Sequence, residues 1–348
     1  MLIALIAALS LSQEPARPSF AEWLATVRAE ALGRGLRQDV VDAALADVTE
    51  PQPVILERDR AQAETVFSLE KYLARILTRK LILSGREALA KHRELVEQVS
   101  ERYGVPPRII VAIWGMESNF GRFSGVRPTV PALATLAWDP RRATFFRGEL
   151  FNALEILNRG DIDLPRLKGS WAGAMGQVQF MPSSYLKFAE DFDGDGKRDI
   201  WSTPADVFAS IANYLKGHGW TAARGWGREV KVTPEAARRI ARDVAPRSGS
   251  CQATRNMTVA LPLARWEELG LGLPNGRALP KGDETASLVS GTTRHFLVES
   301  NYDAILEYNC AHSYAISVAL LGDAIASDKA PAATRAAAPA KPKSKRRR

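Results

Sequence analysis

The chain has 348 residues, 46% of them hydrophobic and 25% charged, with a formal net charge of +8. These are the proportions of an ordinary soluble globular protein, long enough for two or three domains and a sizeable core. Residues 327–348 hold eight of the basic side chains and one acid, Asp328, so the body of the chain is close to neutral and nucleic acid is not an expected partner.

From Met1 to about Ser12 a short apolar run ends in small residues. It reads as a secretory signal peptide, residues 1–13, although it lacks a positive start. The run is too short to span a bilayer comfortably, and no cysteine follows it, so neither a transmembrane nor a lipid anchor is expected. The alternative reading is a buried N-terminal helix. Ser19 with Glu22 resembles a capping box ahead of Phe20, Trp23, Leu24 and Val27. A second helix is expected over residues 38–46. Residues 66–103 read as two amphipathic helices broken near Ser84-Gly85.

Pro106-Pro107 suits a helix start, and Gly121 suits its stop. Between them runs Ile109-Ile110-Val111-Ala112-Ile113-Trp114, then Glu117. Ile110, Trp114 and Glu117 share one helical face. Burial among apolar side chains raises a carboxyl pKa, and the negative end of the helix dipole acts in the same direction. Both keep the proton on near neutral pH, as a general acid requires. The plainer alternative is a surface glutamate at a frayed helix end.

A helix is expected over residues 145–157, ending before Gly160. Residues 169–182, Gly-Ser-Trp-Ala-Gly-Ala-Met-Gly-Gln-Val-Gln-Phe-Met-Pro, combine small residues with polar Ser170 and Gln179 and with the flat faces of Trp171 and Phe180. That mixture suits a sugar, with polar edges and apolar ring faces, or else tight helix packing through glycine. Asp191, Asp193 and Asp195 with Gly196 match the first half of a calcium loop, and the Lys197 carbonyl could serve as a further ligand. Ser202 stands where such a loop has a bidentate glutamate, and Asp206 could close a longer loop. A structural calcium site and an acidic turn without metal are the two readings. Thr203 is expected to cap a helix from Pro204 to Lys216, with Gly217 as its stop.

Short apolar pieces at 230–232, 257–260 and 296–298 alternate with Gly and Pro between residues 221 and 299, and read as a small strand-bearing insertion. Cys251 and Cys310 are the only cysteines. In an exported protein such a pair often forms a disulfide; two buried thiols are the alternative. Glu307-Tyr308-Asn309 and Tyr314 offer stacking and hydrogen bonds. Helix is expected again over residues 313–326, and the Ala/Pro/Lys tail should be disordered. Zinc spacings, a Gly-x-Ser-x-Gly elbow and a dinucleotide loop are all missing, and the four histidines are scattered. Carboxylate chemistry is the enzyme reading that remains.

Together the stretches Met116-Glu117-Ser118-Asn119-Phe120-Gly121, Arg141-Arg142, Ala172-Gly173-Ala174-Met175-Gly176 through Pro182-Ser183-Ser184, Ala212-Asn213-Tyr214 with His218-Gly219-Trp220, and Tyr308-Asn309 resemble the lytic murein transglycosylase B family. The resemblance runs from about residue 19 to 326. It implies a mainly α (α+β) fold: a helical N-terminal domain at 14–100, a lysozyme-like core at 101–220 plus 300–326, a β-containing insertion at 221–299 and a basic tail at 327–348. It further implies cleavage of the β-1,4 bond between N-acetylmuramic acid and N-acetylglucosamine in peptidoglycan. The muramyl C6 hydroxyl attacks C1, and Glu117 acts first as acid and then as base. Ser170, Gln179, Tyr214, Tyr308, Asn309 and Tyr314 would line the glycan cleft, and Arg141 and Arg142 would meet substrate carboxylates. No cofactor is expected for catalysis. The expected setting is the periplasm, with glycan strands and other cell-wall enzymes as the expected partners. A hydrolytic muramidase on the same fold and a non-catalytic cell-wall-binding protein are the competing readings.

Overall fold

The computed structural model describes residues 18–61 and 67–327. The expected signal peptide and most of the basic tail lie outside the described residues. The first half is helical: α1 (Phe20–Gly33), α2 (Gln38–Leu45), α3 (Pro53–Ala61), α4 (Leu69–Ile76), α5 (Arg79–Lys91), α6 (Arg93–Tyr103) and α7 (Pro107–Ser118). The Ser19–Glu22 capping box is present in both directions. Residues 69–103 form three helices instead of two, with breaks at Leu77 and His92. Thr78 caps α5 by accepting from the Leu81 N–H. Gly85 lies inside α5, where it allows close packing; a Cβ there would stand 2.6 Å from Ile325.

After α7 come β1 (Arg127–Pro128), α8 (Thr129–Trp138), α9 (Ala143–Arg159), β2 (Lys168–Gly169), α10 (Pro182–Phe188) and α11 (Pro204–Gly217). β1 and β2 pair antiparallel. The remaining elements are β3 (Gly227–Val230), α12 (Pro234–Asp243), α13 (Gln252–Arg255), β4 (Leu261–Pro262), α14 (Leu263–Glu268), β5 (Thr285–Ser290), β6 (His295–Val298), α15 (Ser300–Tyr308) and α16 (His312–Ala326). Two details differ from the sequence pattern. Thr203 makes no side-chain cap on α11. Gly217 is the last residue of α11, packed under Phe188, and it is Gly219 that takes a left-handed φ of 91°.

α7 is the central helix, buried on every side from Ile109 to Gly115. A helix apolar all round belongs in a core. It packs against α5, α6, α11 and α16. β3, β6, β5 and β4 form one antiparallel sheet in that order. Alternation along the strands divides its two faces. Val289, Phe296 and Val298 face the main helical core, whereas Val230, Leu288 and Leu297 join Ile240, Leu263 and Trp266 in a second, smaller core. A Cys251–Cys310 disulfide, with Cα atoms 5.9 Å apart, ties α13 to the turn before α16. Among the described residues no helix is long and apolar enough to cross a membrane.

Candidate active site

Glu117 stands in the last turn of α7. That helix is closed by three successive left-handed residues, Asn119 (φ 51°), Phe120 (φ 59°) and Gly121 (φ 77°). The stop therefore begins at Asn119, two residues before the glycine that the sequence pattern offers. Left-handed φ is costly for an asparagine and more so for a phenylalanine, so it persists only where packing enforces it. The Phe120 ring folds back onto Gly115, where a Cβ would stand 2.5 Å from it. Ser118 locks the turn: its Oγ donates to the Trp114 carbonyl at 2.9 Å and accepts from the Gly121 N–H at 3.0 Å.

The glycine-rich segment braces the same helix end. It is a compact set of turns between β2 and α10 and contains no helix. Trp114 Nε1 donates to Gln177 Oε1 at 2.8 Å, and Gln177 Nε2 donates to the Trp201 carbonyl at 2.8 Å. Gln179 has a left-handed φ of 52°, and its Nε2 donates to the Gly176 carbonyl at 2.8 Å. Ser170 Oγ accepts from the Ala172 and Ala174 N–H groups at 3.3 and 3.1 Å, so it shapes the turn itself. Glu149 on α9 fixes the start of α10 by accepting from the Ser183 N–H at 2.8 Å and its hydroxyl at 2.6 Å.

A row of tyrosines leads to the acid. Tyr214 donates to the Glu307 carbonyl at 2.7 Å, and Tyr308 donates to the Val178 carbonyl at 2.8 Å. The Tyr214 and Tyr308 rings are 4.7 Å apart, and the Tyr308 and Tyr314 rings stack at 6.5 Å. The Tyr314 hydroxyl donates to Glu117 Oε1, from 197 residues away in sequence. Burial pushes the Glu117 carboxyl up to about 7, against which the Tyr314 hydrogen bond pulls it down. Burial, and next the charge of Glu117, raise Tyr308 and Tyr314 well above the ordinary phenol value. Asn309 is exposed at the end of α15.

Glu117 opens on a cavity of about 490 Å³. Its walls are the last turn of α7, Tyr72, Arg75 and Ile76 of α4, the start of α5, and Phe123. Glu117 is the only carboxyl group lining it among the described residues. Tyr72 and Phe123 are absent from the sequence-based set, and so is Gln177. Tyr72 is hidden in an amphipathic stretch; Phe123 is 67% exposed, which no local pattern announces.

A model of the transglycosylase SLT domain family matches residues 19–323. The chain belongs to that family. Membrane-bound lytic murein transglycosylase B of Escherichia coli K12 is 35% identical over 261 residues, 74% of this chain and 67% of that protein. SltB3 of Pseudomonas aeruginosa, solved in complex with NAG-anhNAM-pentapeptide, is 40% identical with a TM-score of 0.79, over 88% of this chain and 79% of its own. The E. coli lytic transglycosylase Slt35, solved in complex with calcium, is 29% identical with a TM-score of 0.70, over 89% and 93% of the two chains.

In this member of the transglycosylase SLT domain family the remaining polar groups fall in two places. Arg141 binds Asp59 at 2.7 Å and Asp139 at 3.0 Å, and Arg142 also binds Asp59, whose side chain is only 5% exposed. Both arginines thus tie α3 to the start of α9, and a substrate carboxylate would have to compete with Asp59. In the acidic loop, carboxylate oxygens of Asp191, Asp193 and Asp206 converge within 4.8 Å of one another. Asp206 accepts from the Phe192 and Asp199 N–H groups at 2.8 and 2.7 Å. Burial, and then the charges of Asp193 and Asp191, bring its carboxyl up to about 6. Three converging carboxylates of this kind fit a hard cation with oxygen ligands. Asp195 lies outside that cluster and accepts from the Lys197 N–H at 2.8 Å.

Proposed function

We propose that this chain is a peptidoglycan lytic transglycosylase in which Glu117 is the sole acid and then the base. The observation that carries this reading is a half-buried carboxyl, hydrogen-bonded by Tyr314 and pushed up to about 7 by desolvation, in a cavity with no second carboxyl group among the described residues. Ordinary glycoside hydrolysis uses two carboxyl groups, one of which activates water or attacks the sugar. An internal nucleophile removes the need for the second.

The protonated Glu117 gives its proton to the glycosidic O4 of N-acetylglucosamine as the bond to the muramyl C1 breaks. The muramyl C6 hydroxyl bonds to C1, and its proton passes to the Glu117 carboxylate. The acid is restored, no water is consumed, and a 1,6-anhydro end results. A pKa near working pH suits both halves of that cycle. Tyr314 holds the carboxyl in place and stabilises its charged form between them. Tyr214, Tyr308, Asn309, Gln179 and Ser170 would line the glycan beyond Glu117, and Arg141 and Arg142, at the start of α9, would meet substrate carboxylates in competition with Asp59.

Asp191, Asp193 and Asp206 would hold a calcium ion, together with the Lys197 carbonyl and Asp195 if the loop tightens around it. Its contribution is to fix the loop between α10 and α11; no proton moves through it. The periplasm is the setting this substrate implies, and other cell-wall enzymes would be natural neighbours there.

Digestion of purified peptidoglycan, followed by mass spectrometry, tests the reading. The expected products end in an anhydro sugar, lighter by one water than a reducing end, and Glu117→Gln should abolish turnover while leaving binding intact. Reducing ends alone would make the chain a hydrolytic muramidase. Binding without turnover in the wild type would make it a non-catalytic wall-binding protein.

A further inference from the structure

Two cations in the Glu117 cavity have no part in the reaction above. The charged side chains lining that cavity are Glu117, Arg75 and Lys80. Arg75 stands in the last turn of α4 and Lys80 in the first turn of α5, on either side of the corner at Leu77-Thr78. Both are exposed. Neither is engaged by an acid among the described residues; Arg75 has the Phe67 ring beneath it, 5.4 Å to the centroid.

Helix stability does not explain Lys80. The first turn of α5 contains no acid, and Arg79 and Lys80 there oppose the helix dipole. Ionisation of Glu117 does not explain the pair either, since burial and Tyr314 account for the state of that carboxyl. Arg141 and Arg142, which the sequence pattern offers for substrate charges, are already held by Asp59 and Asp139. With Glu117 protonated, the cavity walls therefore carry positive charge only.

The geometry points to Arg75 and Lys80 as specificity residues that read carboxylates on the muramyl side chain, the free acids of the stem peptide. The inference rests on the reading of this cavity as a peptidoglycan site. The N-acetylated sugar backbone is neutral, so negative charge reaches the cavity only on the substituent of the muramyl unit. The corner between α4 and α5 forms one wall of the cavity onto which Glu117 opens, within reach of the substituent of a muramyl unit seated there. The interaction is exposed, so it should discriminate modestly and weaken with salt.

The test compares peptidoglycan strands bearing free stem carboxylates with the same strands after carbodiimide coupling to methylamine, which removes the charge and keeps the peptide. The wild type should favour the free-acid strands by about fivefold in kcat/KM, a ratio in keeping with two exposed ion pairs, and this ratio should shrink toward one at high salt. Arg75→Gln/Lys80→Gln should bring the ratio close to one at all salt concentrations, and Arg75→Glu/Lys80→Glu should invert it. Equal turnover of both strands by the wild type overturns the inference, as does an unchanged ratio in the double glutamine variant. Failure of the wild type to cleave either strand overturns the catalytic reading itself and the inference with it. Both variants alter exposed side chains, and an unchanged melting temperature would separate loss of reading from loss of fold.

Discussion

The end of α7 holds a half-buried carboxyl group and the start of α11 a fully buried one, and their two surroundings prepare them for different work. Glu117 lies in the last turn of its helix, where the dipole opposes negative charge, and one hydroxyl donor reaches it. Asp206 lies in the first turn of its helix, where the dipole favours charge, and two backbone N–H groups donate to it. Burial is the largest influence on both, bringing Glu117 to about 7 and Asp206 to about 6. Glu117 opens on a cavity with no other carboxyl among the described residues, so it can hold and exchange a proton. Asp206 faces Asp191 and Asp193, an arrangement that a cation relieves better than a proton does. Donors, helix polarity and neighbours decide what a buried carboxyl becomes; burial alone does not.

The comparison breaks most visibly if Glu117 is dispensable. Glu117→Gln should lower kcat by about a thousandfold, within the range for loss of a positioned acid or base, with strands still bound in a pull-down. Retention of a tenth of the activity would place the acid elsewhere. Tyr314→Phe removes the one donor to Glu117. A loss of about tenfold in kcat is expected, the size of one hydrogen bond to a charged group. Because the lost donor had lowered the carboxyl pKa, the alkaline limb of the pH–rate profile should move to higher pH; movement to lower pH would reverse the assigned role.

Stability offers a subtler test. The folded value of Glu117, about 7, lies above its ordinary value of 4.5, so the folded state binds the proton more tightly. The wild type should therefore lose stability as pH rises from about 4.5 through 7. Glu117→Gln lacks that loss, and its melting temperature relative to the wild type should climb by several degrees between pH 4 and pH 8. A constant difference would contradict the burial of the charge. The smallest effect is expected at the other carboxyl: calcium should raise the melting temperature of the wild type by a few degrees and leave Asp191→Asn/Asp206→Asn unmoved. Equal rises in both proteins would remove the ion from this loop.

Much of this contrast is legible in the sequence where local rules agree. Pro106-Pro107, an apolar run and a shared face for Ile110, Trp114 and Glu117 all indicate the helix that the structure contains. The Ser19 cap and the spaced aspartates are equally local signals. The sequence misleads where a distant contact overrides a local preference. Gly85 reads as a helix breaker, but its lack of a side chain serves the approach of Ile325. Phe120 adopts a left-handed conformation that local rules disfavour for a bulky side chain, and its ring packs on Gly115. Asp59 gives no hint in sequence that it holds Arg141 and Arg142. Tyr72 and Phe123 join the cavity only because α4 and the loop after α7 are brought together by folding.

Direct titration of Glu117 tests the central claim most closely. Carbon-13 labelling of glutamate side chains and subtraction of the Glu117→Gln spectrum isolate its carboxyl resonance. A midpoint near pH 7 is the expected result, moving higher in Tyr314→Phe. A midpoint near the ordinary 4.5 would mean that the carboxyl is charged at neutral pH and could not supply the first proton.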